Sequence, residues 1–162
     1  MTDNNRNEIK NDMFKQNDEL FKIADEIIAN GYDTYAYVAS KIFNKPYAEC
    51  QEKNEDGSSN PVGAMLRTIA KYICIGTMSV WEITQKYDGI KNLETMICDA
   101  FPFKEPDDIT EYAEFYINCP TNTYYETSLL TDSVNFLVKM TAYIEFMRMQ
   151  KRNTDKKEQL CL

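Results

Sequence analysis

Arg67 and Lys71 stand four residues apart in NPVGAMLRTIAKYICIGTMS, the segment covering residues 60–79. On a helix that spacing puts a guanidinium and an ammonium on one face. A planar fork beside a point charge suits phosphate oxygens, so the pair can grip a polyphosphate. The same two residues can instead be snorkelling side chains on a solvated face, or internal partners for the acids of residues 49–56. Those acids are Glu49, Glu52, Glu55 and Asp56 in ECQEKNED, and a second acidic run, KEPDDITEYAE, holds Glu105, Asp107, Asp108, Glu111 and Glu114. Either run can present carboxylates to a basic partner in place of phosphates. The plainer readings are a solvated loop for the first and ordinary acidic capping of a helix start for the second.

Composition closes off much other chemistry. The chain has no histidine, which removes the usual general base and the Ser-His and Cys-His nucleophile pairs. Its five cysteines (Cys50, Cys74, Cys98, Cys119, Cys161) are widely spaced with no C-x-x-C pair, so we expect reduced thiols, no metal site and no cofactor. The net charge is −8, distributed as −3 over residues 1–30, −8 over 31–147 and +3 over 148–162. An acidic body repels nucleic acid at long range and attracts basic partners. No apolar run approaches the roughly 20 residues needed to span a membrane, and MTDNNRNEIKND does not read as a signal peptide, so a cytoplasmic location is expected.

The elements that must position these residues are mainly helical. Ile9, Met13, Leu20, Ile23, Ile27 and Ile28 follow helical spacing up to an Asn30-Gly31 stop. Asp33 or Thr34 can cap a second helix carrying Ala36, Val38, Ala39, Ile42 and Phe43. Asn60-Pro61 is an N-cap followed by proline at the first helical position. The helix it opens is expected to carry Leu66, Ile69 and Ile73 and to continue through Trp81 and Ile83, with Trp81 and Tyr87 in the core. Ile90, Leu93, Ile97 and Ala100 make a short helix before Pro102, and Asp107-Asp108 can cap another. The β-prone segments EFYIN and TYYET predict one small hairpin near residues 115–127. A long last helix starts at Leu129 or Thr131 and fades into the basic tail. Its Phe136, Met140, Tyr143 and Met147 form a second apolar face, which fits deep burial or a face for a partner or a homodimer mate.

The stretch from Tyr32 to Met149 resembles the fingers region of family A DNA polymerases, particularly phage-encoded ones. YDTYAYVASKIFNKPYAECQEKNEDGSSNPVG is similar to the segment after the palm's first catalytic motif, in which D-x-Y-x-x-x-A-S leads to N-x-P-Y-x-x-C, a D-G turn and N-P-x-G. RTIAKYICIG is similar to the nucleotide-binding helix R-x3-K-x4-G, and DAFPF, TYYETSL and VNFLVKMTAYIEFM follow in the family's order. The resemblance implies a compact helical domain over 31–149; the apolar spacing predicts an N-terminal helix in 1–30 before it, and the charge pattern makes 150–162 a basic tail. It also implies that Arg67 and Lys71 descend from residues that contact nucleotide phosphates.

The departures are specific. The family's tyrosine-glycine pair is replaced by Ser79 and Val80, the position four after the lysine holds Ile75, and Leu129, Leu130 and Thr131 stand where the family is basic. Lys139 and Met140 replace a glutamine and a glycine. Phosphoryl transfer needs palm carboxylates holding two metal ions. No D-Y-S-x-x-E precedes Tyr32, and an H-D-E motif requires a histidine. The expectation is a non-catalytic protein-binding factor of phage or mobile-element origin. Its expected partner is a basic nucleic-acid enzyme or defence complex, which it would inhibit through an acidic surface. The alternative is a nucleotide- or nucleic-acid-binding replication accessory that keeps the Arg67/Lys71 grip. A third reading is one piece of a split polymerase, against which the lost tyrosine-glycine pair argues.

Overall fold

The structure, a computed structural model, describes residues 18–103 and 123–161. Among them the chain is helical, with no strand or sheet; one isolated antiparallel bridge joins Lys53 and Ser59. The helices are α1 (Asp18–Ala29), α2 (Thr34–Ile42), α3 (Pro61–Ile75), α4 (Val80–Lys86), α5 (Leu93–Ala100) and α6 (Thr123–Leu160), with a 3-10 turn at Tyr47–Cys50.

The chain divides into two compact units. One comprises α1 and its exit to Asp33 together with the end of α6 from Lys139; the other runs from Thr34 to Val138. In the first unit, Leu20, Ala24 and Ile27 make the buried stripe of α1. The helix stops as Asn30-Gly31 implies: Gly31 takes φ 65°, and the Tyr32 N–H returns to the Ile27 carbonyl at 3.1 Å. Met140, Tyr143 and Ile144 of α6 are buried, Phe21 meets Tyr143 edge-to-face at 5.1 Å, and Arg148 Nη2 donates to the Tyr32 carbonyl at 2.6 Å. The second apolar face of α6 is therefore core at Phe136, Met140 and Tyr143, and half-buried at Met147.

In the second unit α2 is the central element, buried at Ala36, Tyr37, Val38, Ala39 and Ile42 and packed against α3, the 3-10 turn and α5. Phe103 stacks on Phe136 at 3.8 Å, and the Ser133 hydroxyl donates to the Phe101 carbonyl at 2.7 Å. These contacts fix the start of α6 on the end of α5.

Three expectations change. The helix opened at Asn60-Pro61 does not continue through Trp81. Gly76 closes it at φ 66°, the Thr77 N–H bonds the Tyr72 carbonyl at 3.2 Å, and Ser79 caps a new helix by accepting from the Glu82 N–H at 3.2 Å. Restarting resets the helical phase, so Val80 and Ile83 point inward and Trp81 is 65% exposed, outside the core it was expected to join. The second arm of the expected hairpin, TYYET, is the first turn of α6, and the helix runs unbroken through the basic tail to Leu160. Extending a helix needs no new nucleation, and that outweighs the weak, context-dependent β preference of tyrosine and threonine. The EFYIN arm and the helix expected after Asp107-Asp108 lie outside the described residues, as do Ile9 and Met13 of the N-terminal pattern.

Candidate functional site

The site is built from the segment joining α2 to α3. Asn44 leaves α2 at φ 50°, the Lys45 N–H returns to the Ser40 carbonyl at 3.0 Å, and the 3-10 turn buries Cys50. The chain then doubles back at Asp56-Gly57, with Gly57 at φ 84°. Asn54 holds the turn twice: its N–H bonds the Ser58 carbonyl at 2.9 Å, and its side-chain amide donates to Ser58 Oγ at 3.0 Å and to the Ser59 carbonyl at 3.2 Å. The Asp56 carboxylate accepts from both the Ser58 hydroxyl and the Ser58 N–H, and these bonds hold its pKa below the ordinary carboxylate value.

Asn60 ties this loop to α3. Its side chain accepts from the Gly63 N–H at 3.1 Å, capping the helix, while its amide donates to the Glu49 carbonyl at 3.3 Å. Gly63 is required by the same contact: a Cβ there would sit 2.7 Å from the Glu49 carbonyl oxygen, and closer still to the Gln51 carbonyl oxygen and Asn60 Nδ2. The loop is clamped on the first turn of α3, and ECQEKNED is a folded, solvent-facing turn rather than a loose one.

From that clamp Glu52 reaches Arg67. Glu52 Oε1 lies 3.1 Å from Arg67 Nη1, and the guanidinium carbon stands 5.3 Å from the centre of the Tyr35 ring. The Arg67 side chain is 22% exposed and that of Glu52 62%. Of the readings available from sequence, the internal partner for the 49–56 acids is the contact Arg67 makes. Lys71, one turn along α3, is exposed, as is Ile75 after it. Glu49 pairs with Lys45 at 4.0 Å, and Glu55 and Asp56 face solvent at the tip of the turn. The structure thus gathers Glu49, Glu52, Glu55, Asp56 and Arg67 around one loop. Glu105, Asp107, Asp108, Glu111 and Glu114 lie outside the described residues.

A solvent-open cleft of about 830 Å³ lies within this loop. Tyr47 and the 57%-exposed Val62 line it together with Glu49, Glu55, Asp56, Lys45 and Lys53. No sequence pattern marks Tyr47 and Val62 as neighbours, because the loop alone brings the turn beside the helix start.

Among the described residues, Cys50 and Cys74 are buried, Cys98 is half-buried and Cys161 is exposed, and none of the four is in a disulfide. Burial pushes the Cys50 and Cys98 thiols above their ordinary pKa, which disfavours the reactive thiolate. Among the described residues no group of Cys, Asp and Glu could hold a metal ion, and no helix is long and apolar enough to cross a membrane. Lys86 sits between two rings, 5.2 Å from Tyr72 and 5.8 Å from Tyr87, which leaves Tyr87 half-buried and engaged on the α4 surface. Compared with known proteins, the chain matches no family model, no curated protein and no solved structure.

Proposed function

We propose that the chain is a non-catalytic protein-binding factor, encoded by a phage or mobile element. It would occupy a basic nucleic-acid-binding surface of a host enzyme, in the manner of an anti-CRISPR or other anti-defence inhibitor. The observation that carries this reading is the Glu52–Arg67 contact at 3.1 Å. The arginine of the phosphate-gripping pattern is engaged internally, and the loop that engages it turns Glu55 and Asp56 to solvent. A clamped loop presents its carboxylates with little ordering cost on binding, and carboxylates facing lysines and arginines give fast, salt-sensitive association. The net charge of −8 favours approach to a basic channel.

The test is binding and inhibition of purified nucleic-acid enzymes and defence complexes, with salt as the variable. Screening shortens from about 10 Å at 0.1 M to about 3 Å at 1 M, so binding should weaken steeply over that range. A protein that binds and inhibits none of them at low salt sinks the proposal. A second reading keeps one supporting observation: Lys71 is exposed one turn from Arg67. It makes the chain a nucleotide-binding accessory, with deoxynucleoside triphosphate affinity lost on Arg67→Ala plus Lys71→Ala. Calorimetry without heat at millimolar nucleotide rejects it.

A further inference from the structure

We infer that the exposed end of α6 is a self-association surface, which docks on the acidic body of a second copy of this chain. The inference goes beyond the proposed protein-binding function and does not rest on it. From Met149 to the end of the helix at Leu160 every residue is exposed except the half-buried Gln150 and Thr154, so about three turns carry no buried face. Met149, Arg152, Lys156 and Leu160 follow i, i+3, i+7, i+11 spacing and share one stripe of that helix. Met149 is 51% exposed, and Leu160, at 86%, is the most exposed large apolar side chain among the described residues. Arg152 and Lys156 stand between them as like charges four residues apart, a pairing that costs a helix stability. Among the described residues neither is in an ion pair, and the acids of the stretch, Asp155 and Glu158, fall on other faces of the helix.

Charge and apolarity together select the occupant. Residues 148–162 carry +3, whereas 1–30 carry −3 and 31–147 carry −8. Two such helix ends laid side by side would set Arg152 and Lys156 against their own kind, which disfavours tail-to-tail pairing. Nucleic acid would answer the cations, but its phosphates give Met149 and Leu160 no apolar contact, and the acidic body repels it at long range. A second copy offers carboxylates and apolar surface together, at the same concentration as the helix end itself. Exchange of helix ends between two copies makes the same contact twice and closes at a dimer. Exposed ion pairs are individually weak and screened by salt, so the apolar ends of the stripe and the doubling of the contact sustain the association.

The test is sedimentation of the full-length protein from about 10 μM to about 1 mM, at low salt and at about 1 M, where screening shortens to about 3 Å. The parent should dimerise at low salt, with a dissociation constant at least about tenfold weaker at high salt. Arg152→Glu plus Lys156→Glu should weaken the dimer at least about tenfold at low salt. Lys151→Glu plus Lys157→Glu makes the same change of net charge off the stripe and should weaken it less. All four substituted side chains are exposed, and an unchanged circular dichroism spectrum confirms the fold of each variant. Amide NMR signals of residues 149–160 should shift with concentration in the parent and stay fixed in the stripe variant. A parent that stays monomeric to about 1 mM at low salt, a stripe variant that dimerises as tightly, or an off-stripe variant weakened equally overturns the inference. Binding of a labelled DNA duplex that the stripe variant loses, in a protein that forms no dimer, overturns it too and assigns the stripe to nucleic acid. None of these measurements includes a host enzyme, so the proposed function stands or falls apart from them.

Discussion

Glu52 and Arg67, fifteen residues apart in sequence, meet at 3.1 Å, so the acidic loop supplies the partner of the cation most suited to phosphate. Both side chains retain solvent contact, which limits the pair to about 0.2–1 kcal/mol of stability. Glu52→Gln should therefore lower urea stability by less than about 1 kcal/mol, and a double-mutant cycle with Arg67→Ala should return a coupling of that size. A cycle with no coupling would mean that the contact contributes nothing measurable in solution.

Gly63 is the stronger determinant of the loop. Glycine to alanine inside a helix ordinarily stabilises it by about 1 kcal/mol. Here the added methyl meets backbone oxygens of Glu49 and Gln51, groups that cannot rotate away. Gly63→Ala should instead destabilise the protein by about 1–3 kcal/mol and shift the backbone resonances of residues 49–60. A stabilised variant would show that the loop is not clamped on α3.

The loop's boundaries were legible in sequence because they are written in local chemistry. Asn60-Pro61 announces a cap and a first turn, Asn30-Gly31 a stop, and Asp56-Gly57 a reversal, each fixed by a side chain bonding its own neighbours. What was not legible depends on phase or on distant partners. The apolar spacing of Ile73, Met78, Trp81 and Ile83 reads as one helix, although Gly76 and Ser79 together split it. TYYET has strand-like residues, yet it lies on a helix whose downstream turns are already packed at Ser133 and Phe136. The cleft is less legible still: Lys45, Tyr47 and Val62 become neighbours only through the path of the loop.

The split of the expected long helix makes an opposed pair of predictions. Trp81, the chain's one tryptophan, is 65% exposed, whereas Ile83 two residues later is fully buried. Trp81→Ala should change stability by no more than about 0.5 kcal/mol, and Ile83→Ala should cost about 2–5 kcal/mol. Native fluorescence should be that of a solvated indole, readily quenched by acrylamide. A blue-shifted, protected emission would place Trp81 in the core.

Asp56 gives the loop a pH dependence with a defined sign. Its folded pKa lies below the ordinary value, chiefly because the Ser58 hydroxyl donates to the carboxylate and secondly because the Ser58 N–H does. The folded state therefore binds the proton less readily than the unfolded chain. The resulting stabilisation is present above the unfolded pKa and is lost as pH falls through the folded one. Ser58→Ala removes the hydroxyl bond and keeps the backbone bond, so the Asp56 titration followed by carboxyl NMR should move up toward the ordinary carboxylate value without reaching it. An unshifted Asp56 titration in the variant would show that Ser58 does not hold the carboxylate at the tip of the turn.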